Sequence, residues 1–276
     1  MITTNIISKI EALSPLPKTV IEVDEFRKKS NKEISELLEI IQKDALVVST
    51  LLKIANSAMF GFRSKIETPS HAINLLGINF TITIVIGGIV QNLLISNLEP
   101  YGVSCDDFME SSNLSSNLVS LWLSNIDNDL KEELLLPALL QEVGKFILSE
   151  VIINEGKCKE FKTKVSMGID LSSLEKEFTG FTSSEIIAKI FRHWNLSERL
   201  ITLLEYLDDI PKCDIKIKHK VEILDVVKTA CEVTEPLSEK NITLAIEKAK
   251  RYNLNVKELE ESIKILKNRM MKMLDS

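Results

Sequence analysis

LLLPALLQEVGKFIL, residues 134–148, carries apolar side chains all round: Leu134, Leu135, Leu136, Leu139, Leu140, Val143, Phe146, Ile147 and Leu148. A helix that is apolar on every side belongs in a protein core. Pro137 fits the first turn of such a helix, where a missing N–H costs little. Gln141 and Glu142 sit in the middle of it. Burying an amide and a carboxylate is expensive unless each is paired or put to use. The dipeptide is therefore either the remains or a variant of a metal site, or it faces a polar cleft or solvent.

The rest of the chain suits an all-α protein with one large core or two lobes. It has 276 residues, 45% hydrophobic and 27% charged, and only 9 Gly and 7 Pro, too few for a turn-rich β fold. Formal net charge is -6, with acids and bases interspersed and no basic stripe of the kind that holds nucleic acid. Cys105, Cys158, Cys213 and Cys231 are scattered without a C-x-x-C pair, and MITTNIISKIEAL at the start lacks the pattern of a signal peptide. The expectation is a cytoplasmic protein with free thiols. No charged residue falls between Glu67 and Glu99, but Asn74, Gly77, Asn79, Gln91, Asn92 and Asn97 interrupt the run. Its best apolar piece, 80–90, is shorter than the roughly 20 residues a membrane helix needs, so buried core is expected there.

Helices follow one another along the chain. Ser30 and Glu33 have capping-box spacing ahead of Ile34, Leu37, Leu38 and Ile41. Asp44 can cap a second helix with Val48, Leu51, Leu52 and Ala55 on one face. Thr68-Pro69-Ser70 starts a third that ends at Gly77, a suitable left-handed terminator. Residues 81–86 alternate Thr and Ile, which suits a strand by propensity, yet no partner strand is in sight and helix is expected. The segment 99–106, EPYGVSCD, reads as a linker, with Asp106 or Asp107 capping the next helix. Thr182 or Ser183 and Ser197 can cap two later helices. Leu259, Ile263, Leu266, Met270 and Met273 follow coiled-coil spacing for barely two heptads, so packing within the chain is favoured and a homodimer stays possible.

Three phrases in order then resemble the HDOD family, bacterial signalling domains related to the HD metal-dependent phosphohydrolases. LSPLP at 13–17 is followed by IQKDALVVSTLLKIANSAMFG at 41–61, whose Asp44, Asn56, Ser57, Phe60 and Gly61 fit the family's hallmark, and then by AINLLG at 72–77, ending in Gly77. LPALLQEVGKFIL falls where relatives read Leu-Leu-His-Asp-Ile-Gly. The resemblance implies an N-terminal helical lobe (1–100) packed on an HD-like helical lobe (101–235), with a C-terminal helical extension (236–276).

An active HD enzyme binds metal through an early His, a central His-Asp pair and a late Asp, and the metal activates water. By resemblance, Ser111 stands at the early position, Gln141 and Glu142 at the central pair, Ser183 or Ser184 and then Tyr206-Leu207 at further His positions, and Asp225 at the late acid. The resemblance thus implies a site stripped of its nitrogen donors, with no catalytic residue, no metal and no cofactor. His71, His193 and His219 read as helix-start, packing and surface residues. Asn56 and Ser57 read as turn-tying residues, and Trp122 and Trp194 as core. There is no G-x-S-x-G, glycine-rich phosphate loop or H-E-x-x-H. The implied function is a non-catalytic regulatory module engaging protein partners in bacterial signal transduction, with a cleft near Gln141, Glu142 and Asp225 for a small ligand. A divergent phosphohydrolase using Glu142 and Asp225, or a nucleotide second-messenger binder without hydrolysis, are the alternatives.

Overall fold

The computed structural model describes residues 2–56 and 64–274, and every regular element among them is helical. Two units can be told apart by their internal contacts: Met1–Ser14 with Leu94–Ile263, and Pro15–Leu93 with Lys264–Ser276. Helix α1 (Ile2–Glu11) belongs to the first unit, where Lys9 meets Glu150 at 2.5 Å.

The second unit carries α2 (Lys18–Arg27), α3 (Ile34–Gln42), α4 (Ala45–Ala55), α5 (Pro69–Leu76) and nearly all of α6 (Ile78–Leu94). Asp44 caps α4, its carboxylate accepting from Leu46 N–H at 2.9 Å. Asn56 closes that helix: its amide donates to the Leu52 and Ile66 carbonyls, and its oxygen accepts from Ile66 N–H, each at 2.8 Å. It is a structural tie; Ser57, Phe60 and Gly61 lie outside the described residues. Gly77 ends α5 at φ +79°, where glycine is favoured, but a ψ of 164° takes it out of the left-handed helical region. The Thr/Ile run is helix, inside α6. Thr81 and Thr83 fold their hydroxyls onto the Gly77 and Asn79 carbonyls at 2.8 and 3.0 Å, so burying them leaves no hydroxyl unsatisfied. Residues 81–91 are all buried. No single helix among the described residues is long and apolar enough to cross a membrane; only α5 and α6 taken together, bent by 119°, meet that measure.

The remainder of the first unit is α7 (Cys105–Leu123), α8 (Asn128–Leu140), α9 (Gly144–Asn154), α10 (Cys158–Ser166), α11 (Leu171–Thr179), α12 (Ser183–His193), α13 (Glu198–Glu205), α14 (Ile215–Ala230) and α15 (Glu239–Arg251). Helix α16 (Val256–Leu274) begins in this unit and ends in the second. The serines of α7 let α8 approach: Ser116 Oγ donates across to the Leu135 carbonyl at 3.1 Å. Trp122 and Trp194 are buried, and their indole N–H groups reach the carbonyls of Asn255 and Ser14, each at 2.9 Å.

Four expectations are corrected. Ser30 and Glu33 form no capping box, because α3 starts at Ile34 with Glu33 itself at the N-cap and no side-chain bond there. Residues 99–106 are not a free linker: Glu99–Tyr101 is a 3-10 turn that buries Tyr101 to 1% exposure. Ser104, not Asp106 or Asp107, caps α7, and Asp107 completes a capping box with it. The apolar stretch 134–148 is not one helix, since α8 ends at Leu140 and α9 starts at Gly144, leaving Pro137 inside α8 rather than in a first turn. Leu259, Ile263 and Leu266 of the heptad-like seam are buried within the chain.

Candidate functional site

The break at 141–143 creates the site. Val143, Lys145 and Phe146 N–H donate three residues back, to the Leu140, Glu142 and Val143 carbonyls, the tight pattern of a 3-10 turn. Gly144 permits it: a Cβ there would stand 2.2 Å from the Ser183 carbonyl oxygen, so α9 and the start of α12 approach at backbone contact. The turn delivers Glu142, and the first turn of α9 delivers Lys145, both buried.

Around Lys145 the chain assembles a cluster of charges. Its ammonium lies 2.6 Å from Glu175 of α11 and 3.0 Å from Glu142, and 5.2 Å from the centre of the Tyr101 ring. Glu175 is fully buried, and it accepts also from Tyr101 OH at 3.1 Å and from Ser183 N–H at the start of α12 at 2.7 Å. Lys228 of α14 pairs with Asp208 at 2.7 Å and approaches Glu142 at 3.3 Å. Three carboxylates thus face two ammonium groups supplied by the same chain.

The titration behaviour follows from these neighbours. Burial alone would lower the pKa of Lys145, but Glu142 and Glu175 more than reverse it and the group is raised. Lys228 is likewise raised well above its usual range, burial being outweighed by Asp208, Glu142 and Glu175. Asp208 is lowered: burial opposes ionisation, and Lys228 overcomes it, helped by the Ser184 and Thr182 hydroxyls. Glu175 is raised, because burial takes more from the carboxylate than Lys145 returns. Lys145 and Glu175 thus move the same way although they are partners, and the state that fits the 2.6 Å contact is the ion pair, with both ionised at neutral pH. Tyr101 is raised well above its usual range by burial and by Glu175.

Asp225, three residues before Lys228 on α14, is held separately. Lys248 and Tyr252 of α15 donate to its two oxygens at 2.7 and 2.9 Å. Glu142, Lys145, Asp208, Asp225 and Lys228 line one cleft of about 430 Å³ whose other wall is α15.

The positions expected at the site are only partly brought together. Glu142 and Asp225 line the cleft; Ser111, Gln141 and Ser183 do not. Ser111 Oγ donates to the Cys231 carbonyl at 2.6 Å, and the Cys231 thiol beside it is pushed up to about 12 by burial. Gln141 Nε2 reaches Ser115 Oγ at 3.4 Å, while its Oε1 has no hydrogen-bond partner. Ser183 serves through its N–H, on Glu175, and its hydroxyl touches the Glu142 carbonyl at 3.3 Å. His71, His193 and His219 are exposed. Lys145 and Glu175 had no site role in the sequence reading, although Glu175 opens a phrase, 175–180, that resembles the later part of the family pattern; Asp208, Lys228, Lys248 and Tyr252 escaped it. A lysine inside the apolar GKFIL and a glutamate between Leu174 and Phe178 were signals for the first two.

These donors do not fit a catalytic divalent ion. No imidazole is present, the Glu142 oxygens face two ammonium groups, and Asp225 is occupied by Lys248 and Tyr252. Among the described residues no group of three or more His, Cys, Asp or Glu is placed to hold a metal.

The sequence profile of the HDOD domain matches residues 13–210, and the chain belongs to the HDOD domain family. Helices α14 and α15, which complete the cleft, lie beyond the matched residues. An uncharacterized protein of Treponema pallidum (strain Nichols) is 21% identical over 222 residues, covering 76% of this chain; the chain spans only 40% of that relative. The fold is similar to that of a candidate phosphohydrolase from Shewanella amazonensis SB2B, with TM-score 0.73 and 18% identity over 98% of this chain and 96% of the other. It is also similar to a candidate signal transduction protein from Marinobacter aquaeolei VT8, with TM-score 0.70 and 18% identity over 95% of this chain and 59% of the other.

Proposed function

We propose that this chain is a non-catalytic regulatory module of bacterial signal transduction that acts through protein partners. One observation carries the reading: both acids that a divergent phosphohydrolase would need are already held by the chain's own groups. Lys145 and Lys228 flank Glu142, and Lys248 with Tyr252 holds Asp225. A carboxylate neutralised by an adjacent ammonium is a poor ligand for a divalent cation, because the two positive charges repel. The descriptions of the two fold neighbours point in different directions, so the reading rests on the residues. The cleft of about 430 Å³ has the size of a small-molecule site, and its role here is to bias the partner-binding surface without turnover.

A panel of phosphomonoesters and cyclic nucleotides, assayed with the full chain in Mn²⁺ or Mg²⁺, tests this. The expected outcome is hydrolysis no faster than in a buffer blank. Turnover that disappears in Glu142→Gln reverses the reading.

A further inference from the structure

We infer that α15 is a strap over the Glu142 cleft that unwinds from α14 on its own, while the rest of the first unit stays folded. The inference deepens the regulatory reading, on which its purpose rests, since it names the element whose movement opens that cleft. Leu244, Glu247, Lys248, Arg251 and Tyr252 make α15 one wall of it.

The apolar hold on α15 is thin. Of its 13 residues only Asn241, Ala245 and Ala249 are buried, whereas α12 buries Ile186, Ile187, Ile190 and Phe191. Hydrophobic stabilisation grows with the apolar area removed from water, and alanine removes little. Segments with few buried apolar contacts open before the core does. The principal tie is polar instead: Lys248 Nζ and Tyr252 OH donate to the two oxygens of Asp225 at 2.7 and 2.9 Å. The Lys248 side chain is 33% exposed, so water competes for its end of the tie.

The chain is pinned on either side of the strap. Before it, Leu237 N–H donates to the Ala230 carbonyl at 2.8 Å; beyond it, the Trp122 indole N–H donates to the Asn255 carbonyl at 2.9 Å. Leu237 has a φ of +56°, and among the described residues it is the one left-handed position that is neither Gly nor Asn. A leucine is disfavoured there, so the closed strap carries strain at its N-terminal pin. Opening takes both donors from Asp225 and one wall from the cleft.

Hydrogen exchange of the full chain at neutral pH, read by mass spectrometry, tests the inference. Amides of α15 should exchange at least about tenfold faster than those of α12, as a sub-global opening requires. Lys248→Met combined with Tyr252→Phe should speed α15 by about 10- to 100-fold, the scale of hydrogen bonds to a charged group. Phe191→Leu, a core change in α12, should speed α12 and leave α15 unchanged, because a helix that opens alone does not depend on the stability of the rest. Amides of α15 as slow as those of α12, no change in the double variant, or equal acceleration of both helices by Phe191→Leu would overturn the inference. These readouts use no substrate, so their failure leaves the regulatory reading standing; phosphoester turnover removes that reading without altering them.

Discussion

Lys145→Met is expected to lower the unfolding free energy of the first unit by about 3–5 kcal/mol, the usual cost of stripping one partner from a buried ion pair. Methionine fills similar volume, so the loss is electrostatic: Glu175, fully buried, loses the ammonium 2.6 Å away. Both tryptophans of the chain, Trp122 and Trp194, lie in this unit, so their fluorescence in a urea titration reports its unfolding. The pH dependence identifies the cause. A lysine whose folded pKa is raised contributes stability that is fully present below its ordinary value of 10.5 and is lost as pH rises through the folded value. Wild type should therefore lose stability above about pH 10.5 more steeply than the variant. Glu175, already raised, rises further without Lys145 and is protonated more readily as pH falls, so the deficit of the variant should shrink toward acid pH. A double change, Lys145→Met with Glu175→Gln, should recover part of the loss. Equal destabilisation at every pH, with no recovery in the double variant, would show that packing rather than charge sets the effect.

Gly144→Ala should be nearly as damaging, at about 3 kcal/mol, the upper part of the range for overpacking. The added Cβ would lie 2.2 Å from the Ser183 carbonyl oxygen and 2.9 Å from its carbonyl carbon, so backbone must move. Displacing the start of α12 also pulls Ser183 N–H off Glu175, at present 2.7 Å apart. The same fluorescence titration checks this; a midpoint within error of wild type would mean that α9 and α12 can separate at little cost.

Local chemistry made much of the fold legible. The caps at Asp44, Thr68 and Thr182 depend on residues two or three positions apart and form where their spacing places them. Ser104 was hidden by the neighbouring acids, one of which, Asp107, proved to be its partner in the capping box. The break at 141–143 was invisible because apolar residues continue across it, and the close approach that Gly144 permits beside it involves Ser183, about forty positions away. The candidate site was less legible still. Glu142 and Asp225 could be singled out by resemblance, but the lysines that answer them come from α9, α14 and α15. A lysine reads as a surface residue until tertiary structure shows an acid opposite it. Asp208 carries no local signal at all; only the fold sets it against Lys228 at 2.7 Å.

In the proposed module lysines, rather than a bound cation, neutralise the acids of the cleft. Titration of Mn²⁺ into the metal-free full chain, followed by the decline of its free-ion electron paramagnetic resonance signal, measures this most directly. The expected signal grows in proportion to added Mn²⁺, with no tight site and no difference between wild type and Glu142→Gln. Uptake of one equivalent at micromolar concentration, abolished by Glu142→Gln or Asp225→Asn, would contradict it.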